Sequence, residues 1–192
     1  MNELHEHMAA CAREAARVAR GVDGTPLDGA TPCTEYDVRA LVNHWVLYTS
    51  YGLERRARRE PIPDELTARD FTAEDGWADA YAAQLDRAVK AWDDPAVWEG
   101  DIDFGGGSAP AAEVAALIVK EMAVHGWDVA KATGQEFNVA PSTGELLYGV
   151  VERNAELYRQ YNGFAEPVEP TAGATAFEKA LALSGRDPRW KP

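Results

Sequence analysis

Two side chains on one predicted helix have the types and the spacing of metal ligands. Glu121 and His125 lie four residues apart in the helical run 116–128, so they point the same way from one face. They interrupt an apolar stripe, and a buried carboxylate and imidazole are costly unless a partner satisfies them. The stripe consists of Val114, Leu117, Ile118 and Val129. A divalent metal ion would satisfy both side chains, and His44, on another predicted helix, could supply a third ligand.

Two imidazoles and one carboxylate form a donor set suited to Zn²⁺, and also to Ni²⁺, Fe²⁺ or Co²⁺. Three protein ligands leave a position for water or substrate, as catalytic sites do, whereas structural zinc sites usually close with four ligands. The spacing alone leaves alternatives open, because Glu121 could form an ion pair with His125 or with Lys120. Asp128, one turn beyond His125, could orient the imidazole as a hydrogen-bond acceptor or could be an exposed carboxylate.

Further side chains could complete a pocket beside these ligands. Trp45, Tyr48 and Trp127 could form an apolar wall that excludes water, or they could belong to the ordinary core of a helical bundle. Cys33 lies where a loop meets a helix, a position that favours a thiolate. The simpler interpretation of Cys33 and of Cys11 is a free and mostly buried thiol.

The elements that must position these residues are predicted to be helices. The apolar spacing indicates six helices and no convincing sheet. Their approximate bounds are 3–20, 35–59, 74–92, 110–132, 143–161 and 176–183. The second begins in a capping pattern that makes Thr34 its N-cap, with Asp37 three residues later. We predict an all-α fold, a bundle of about four long helices with short extra helices. Residues 1–162 would form the bundle and residues 163–192 a C-terminal extension packed on or near it.

Length and charge narrow the function classes. The chain has 192 residues, 46% of them hydrophobic, which suits one domain with a sizeable core. Its formal net charge is −13, from 19 basic and 32 acidic residues, and this disfavours nucleic acid and anionic membrane surfaces as partners. The sequence has no run of about 18 apolar residues and no signal-peptide pattern, so we expect a cytoplasmic protein. The exposed apolar helix faces of such a bundle favour a homodimer.

Three separated segments resemble one known family. Thr-Pro-Cys-Thr-Glu-Tyr-Asp-Val-Arg-Ala-Leu-Val-Asn-His-Trp, from Thr31, resembles the second-helix signature of the DinB-like superfamily. The resemblance is to its actinobacterial branch around the mycothiol-dependent maleylpyruvate isomerase metal-binding domain. Lys-Glu-Met-Ala-Val-His-Gly-Trp-Asp, from Lys120, resembles the ligand helix of that branch. Gly185-Arg-Asp-Pro-Arg-Trp is similar to the tail of its short metal-binding members.

The resemblance implies a DinB-like four-helix bundle with one metal ion near its end, bound by His44, Glu121 and His125. The metal in relatives is typically zinc and sometimes nickel. The chemistry proposed for the superfamily is activation of a low-molecular-weight thiol, such as mycothiol or bacillithiol. The resemblance therefore implies a metal-dependent thiol transferase or isomerase, with a small-molecule thiol or electrophile as its partner.

One departure from the family limits what the resemblance implies. The maleylpyruvate isomerase itself has a further C-terminal domain that contributes to its active site, whereas only about thirty residues follow the fifth predicted helix here. Arg186 and Arg189 in that stretch could bind an anion. The resemblance therefore does not imply the reaction of the maleylpyruvate isomerase itself, and thiol transfer stays open. The alternative is a non-enzymatic bundle that binds a metal or another small ligand.

Overall fold

Helices make up most of the computed structural model, which describes residues 2–22, 24–104 and 106–191. The α-helices are α1 Glu3–Arg20, α2 Val38–Val46, α3 Gly52–Ala57, α4 Asp64–Thr67, α5 Trp77–Lys90, α6 Ala111–Ala132, α7 Pro141–Gln160 and α8 Ala176–Leu183. Two 3₁₀ turns, Phe71–Ala73 and Pro95–Trp98, and a π-helical turn, Leu47–Tyr51, lie between them. The predicted all-α bundle is confirmed, and α1 and α8 have the predicted bounds. No helix in the described ranges combines the length and the apolar character needed to span a membrane.

One small antiparallel sheet shows that the prediction of no sheet was wrong. Strands β1 (Asp101–Asp103) and β2 (Ser108–Pro110) pair with Ile102 opposite Ala109. Ile102 is fully buried between two exposed neighbours. Strands of three residues are too short to produce a periodic pattern, which is why the sequence did not indicate them. The hairpin leads directly into α6.

The helix that carries His44 begins at a cap other than the predicted one. Asp37 is the N-cap of α2, and its carboxylate accepts a hydrogen bond of 2.8 Å from the backbone amide of Ala40. The prediction of Thr34 as the N-cap was wrong, because Thr34 lies in a turn before the helix. Both residues are good capping types, and only the loop geometry decides between them.

Two side-chain hydroxyl groups bond to backbone carbonyls where α2 continues into the π-helical turn. Thr49 donates a hydrogen bond of 2.6 Å to the carbonyl of Trp45. Ser50 donates one of 2.6 Å to the carbonyl of Val46. Such bonds to the residue four positions earlier compete with the backbone ladder and bend helices. The predicted helix over 35–59 is therefore a continuous helical run of three parts, α2, the π-helical turn and α3.

Helix α6 lies at the centre of the bundle. It packs against α1, α2, α3 and α7, and most of its residues are buried. A polar side chain in such a helix needs a partner within the protein. Three of its side chains are both polar and buried: Lys120, His125 and Asp128. The candidate site is built around them.

Helix α8 and the segment before it pack against α7. A capping box fixes the start of α8, in which the side chains of Thr175 and Glu178 bond to each other's backbone amides. Phe164, from the segment between α7 and α8, joins a small buried cluster with Val151 and Ala155 of α7. This packing brings the C-terminal residues close to the polar side chains of α6.

Candidate metal centre

His44 of α2 meets Glu121 and His125 of α6 at one point in the bundle. The nearest ligand atoms of the three side chains all lie within 4.8 Å of one another. Glu121 Oε2 is 3.2 Å from His125 Nε2 and 3.9 Å from His44 Nε2. The two imidazole rings are 5.1 Å apart and nearly perpendicular, at 77°. Two nitrogen atoms and one carboxylate oxygen thus converge on a space of the size that one cation occupies.

The second nitrogen of each imidazole already has a partner. His125 Nδ1 is 3.0 Å from Asp128 Oδ2, and His44 Nδ1 shares a hydrogen bond of 3.4 Å with the Tyr36 hydroxyl group. Metal-binding histidines usually donate their non-ligating N–H to such a partner, which fixes the tautomer and the ring orientation. Both Nε2 atoms are thereby left facing Glu121. The side chains present fit a divalent metal ion.

Lys120 holds the other oxygen of Glu121. Its ammonium group donates to Glu121 Oε1 and lies 4.0 Å from the Tyr158 ring centroid and 5.3 Å from that of Phe164. Burial alone would raise the pKa of Glu121. The charge of Lys120 and the contacts with the His125 and His44 imidazoles outweigh burial and lower that pKa well below its ordinary value. Glu121 is therefore ionised at neutral pH, as a metal ligand must be.

Asp128 connects His125 to the C-terminal residues. The Arg186 guanidinium donates two hydrogen bonds to this carboxylate, 3.1 Å from Nη2 and 3.4 Å from Nε. Burial would raise the pKa of Asp128, but the charge of Arg186 and the contact with His125 lower it below its ordinary value. Burial would lower the pKa of His125, and the hydrogen bonds to Asp128 and Glu121 reverse that effect and raise it.

A cavity of about 330 Å³ opens beside His44 and Glu121. Its other walls are mostly apolar. They include Tyr48, Ile62, Phe104, Leu117, Ile118 and Tyr158. Arg56 also lines the cavity, and its guanidinium donates to the backbone carbonyls of Asp103 and Phe104 at 3.2 and 3.3 Å. A small molecule in this cavity would contact two of the three converging side chains.

The three aromatic residues proposed for the pocket wall occupy different places. Tyr48 lines the cavity, and its ring centroid is 4.6 Å from that of His44. Trp45 is fully buried in the core, where its indole N–H donates to the Met122 carbonyl at 3.0 Å. Trp127 lines another cavity, of about 540 Å³, together with Phe137. The structure therefore brings one of the three rings to the candidate site.

Cys33 forms a second convergent group with His125 and Asp128, whose ligand atoms also lie within 4.8 Å of one another. This group fits a metal less well than the first. The Asp128 carboxylate is already paired with Arg186. Burial raises the pKa of the Cys33 thiol, although the charge of Arg186 opposes that effect, and a protonated thiol is a poor ligand.

A comparison with known protein families shows which family the chain belongs to. A family model described as the mycothiol maleylpyruvate isomerase N-terminal domain matches residues 8–130. The chain belongs to this family. Two uncharacterised proteins of Mycobacterium tuberculosis, from strains CDC 1551 / Oshkosh and ATCC 25618 / H37Rv, are each 30% identical to it over 141 residues. That alignment covers 73% of the chain and 72% of each relative. No solved structure matches the chain.

Membership in the mycothiol maleylpyruvate isomerase N-terminal domain family confirms the resemblance found in the sequence. The matched region contains all three converging side chains and ends within α6. The residues that surround Lys120 and Asp128 from the C-terminal side, namely Tyr158, Phe164 and Arg186, lie beyond it. The family match therefore covers the convergent side chains and leaves part of their surroundings outside.

Proposed function

We propose that the protein binds one divalent metal ion, preferentially Zn²⁺ with Ni²⁺ as the alternative, through His44, Glu121 and His125. One observation supports this proposal above the others. Both imidazoles turn Nε2 towards the same carboxylate, while each Nδ1 is held by another side chain. A simple ion pair requires only one imidazole and would not need the second ring to be oriented in the same way.

We further propose that the site activates a low-molecular-weight thiol of the mycothiol type for transfer to, or isomerisation of, an electrophilic small molecule. A divalent metal ion bound here would lower the pKa of a coordinating thiol, so that the thiolate is available near neutral pH. The apolar side chains of the cavity would bind the electrophile and exclude water. Tyr48 and Tyr158 would orient it against His44 and Glu121. The family description, which names mycothiol, supports this choice of thiol.

A non-enzymatic role in binding a metal or small ligand is the second candidate. It is favoured by the lining of the cavity. Among the residues described there, the only imidazole and the only carboxylate belong to the proposed ligands, His44 and Glu121. No further general acid or base of these types is therefore available to a bound molecule.

Metal analysis tests the proposed site. Plasma mass spectrometry of the untagged protein should give about one zinc or nickel ion per chain, and His44→Ala and His125→Ala should each lose it. His7→Ala is the matched control, because His7 lies on α1 and bonds to Thr143 at 2.9 Å, outside the convergent group. Absence of metal after reconstitution, or equal metal in all variants, would contradict the proposal.

The thiol chemistry is tested separately with the zinc-loaded protein, mycothiol and an electrophile that gives a coloured adduct. Catalysed transfer that disappears in His125→Ala is the expected result. Zinc binding without thiol binding would favour the non-enzymatic candidate. Transfer that survives in metal-free protein would show that the three side chains are not the source of the activity.

A further inference from the structure

The ring of Phe164 lies close to two buried cations, and each cation pairs with a carboxylate of the proposed metal centre. Its centroid is 5.3 Å from Lys120 Nζ and 5.5 Å from the guanidinium carbon of Arg186. Lys120 pairs with Glu121, and Arg186 pairs with the carboxylate that contacts His125. The residues after α7 thus contact Glu121 indirectly, through Lys120, and contact His125 indirectly, through Asp128.

The connection through Arg186 is almost completely enclosed. The exposed fractions are 4% for Arg186, 0% for Asp128 and 8% for His125. Two bonds join the guanidinium to Asp128, and one of 3.0 Å joins the same carboxylate to His125 Nδ1. A carboxylate without water around it takes its orientation from these partners, since a buried charge is tolerated only when it is paired.

The backbone around Arg186 is held as firmly as its side chain. Its amide donates to the Leu181 carbonyl at 2.9 Å, and its Nη1 donates to the Ser184 carbonyl at 3.0 Å. The preceding residue, Gly185, has φ of +83°, and a Cβ there would lie 2.6 Å from Cβ of Ala165. Only glycine fits this turn without displacing its neighbour, so the arginine is presented to α6 in one position.

We propose that Arg186 is a positioning residue of the metal centre, acting through Asp128 on His125. This inference rests on the proposed metal binding. Arg186 fixes both oxygen atoms of Asp128, and Asp128 in turn holds the proton of His125 on Nδ1, which leaves the lone pair of Nε2 for the metal ion. The C-terminal residues beyond the family match are then part of the centre and not only a cover for α7.

Zinc affinity measured by competition with a chromophoric chelator tests this proposal. Arg186→Met should weaken zinc binding by about 10- to 100-fold, the usual effect of removing a residue that orients a ligand. Leu147→Ala is the control for general destabilisation, because Leu147 is fully buried in α7 and is no partner of Asp128. It should lower the melting temperature and leave the zinc affinity within about twofold. An equal loss of affinity in both variants would refute the proposal.

A double-mutant cycle distinguishes action through Asp128 from an independent effect. Asp128→Asn and Asp128→Asn/Arg186→Met should bind zinc equally, because arginine has no carboxylate left to orient. The double variant also lacks the unpaired buried carboxylate that could prevent Arg186→Met from folding. Affinity losses that multiply in the double variant would overturn the proposed route.

The visible absorption of Co²⁺-substituted protein gives a readout of ligand geometry. We expect the bands to shift in Arg186→Met and to be unchanged in Leu147→Ala. Unchanged bands in Arg186→Met would speak against a positioning role. Failure of the wild-type protein to bind zinc or cobalt would instead overturn the proposed metal site itself, so the two failures are distinguishable.

Discussion

Replacing Lys120 by methionine removes the cation of a buried ion pair and keeps an apolar chain of similar length. Lys120 is only 1% exposed, and its ammonium group is enclosed by Glu121 and two aromatic rings. Removing one partner of a buried pair costs about 3–5 kcal/mol, because the other charge stays buried and uncompensated. The Glu121 side chain remains 23% exposed, so water can solvate it in part. We therefore expect the lower limit, about 3 kcal/mol less free energy of unfolding.

Urea unfolding of metal-free protein at pH 7 measures this loss. For a chain of this length, about 3 kcal/mol corresponds to a fall of roughly 6–12 °C in melting temperature. Lys131→Met is the matched control on the same helix. Lys131 pairs with Glu136 at 3.5 Å, but the Glu136 side chain is 73% exposed, so its loss should cost no more than about 1 kcal/mol. A Lys120→Met variant as stable as the control would refute the reasoning about the buried pair.

Two further predictions concern the metal-free protein. Its free energy of unfolding should be highest between about pH 4 and 6.5. Asp128 stabilises the fold at pH values above its ordinary pKa, and this contribution is lost as the pH falls through its lowered pKa in the folded protein. His125 stabilises the fold at pH values below its ordinary pKa, and this contribution is lost as the pH rises through its raised pKa in the folded protein. Urea titrations at pH 3, 5.5 and 8 check both arms, and a maximum at pH 8 would contradict them. Gly126→Ala should destabilise by about 1–2 kcal/mol, because the new Cβ would lie 2.3 Å from the Phe137 ring. Adding Phe137→Leu should recover part of the loss, and a more stable single variant would disprove the close contact.

Local sequence patterns predict much of the centre because helical spacing is local. Helix α6 begins and ends within one residue of the predicted 110–132, and its period places Glu121 and His125 on one face. Asp128 contacts His125 at a separation of three residues, which a helix permits. His44 lies on another helix, so periodicity could not pair it with α6. Its residue type made it a possible third ligand, and the family resemblance supported that choice.

The partners beyond α6 leave no periodic signal. Arg186 is 58 residues from Asp128, and no spacing rule connects residues so far apart. Lys120 is an isolated cation in an apolar helical run, which signals a buried partner, but the sequence does not show which aromatic rings surround it. Trp45 and Trp127 illustrate a related limit. Aromatic residues at helical spacing look the same whether they fill the core or line a cavity.

When both histidines are neutral, the charges enclosed at the candidate site balance in the absence of a metal ion. The carboxylates of Glu121 and Asp128 face the cations of Lys120 and Arg186, and both histidines must be neutral to bind a metal. A divalent ion would therefore bring two uncompensated positive charges into a largely buried place. A thiolate or another small anion would reduce that excess, whereas a neutral ligand of the same size would not. With a metal ion bound, the site should therefore discriminate between small-molecule ligands more by their charge than by their shape.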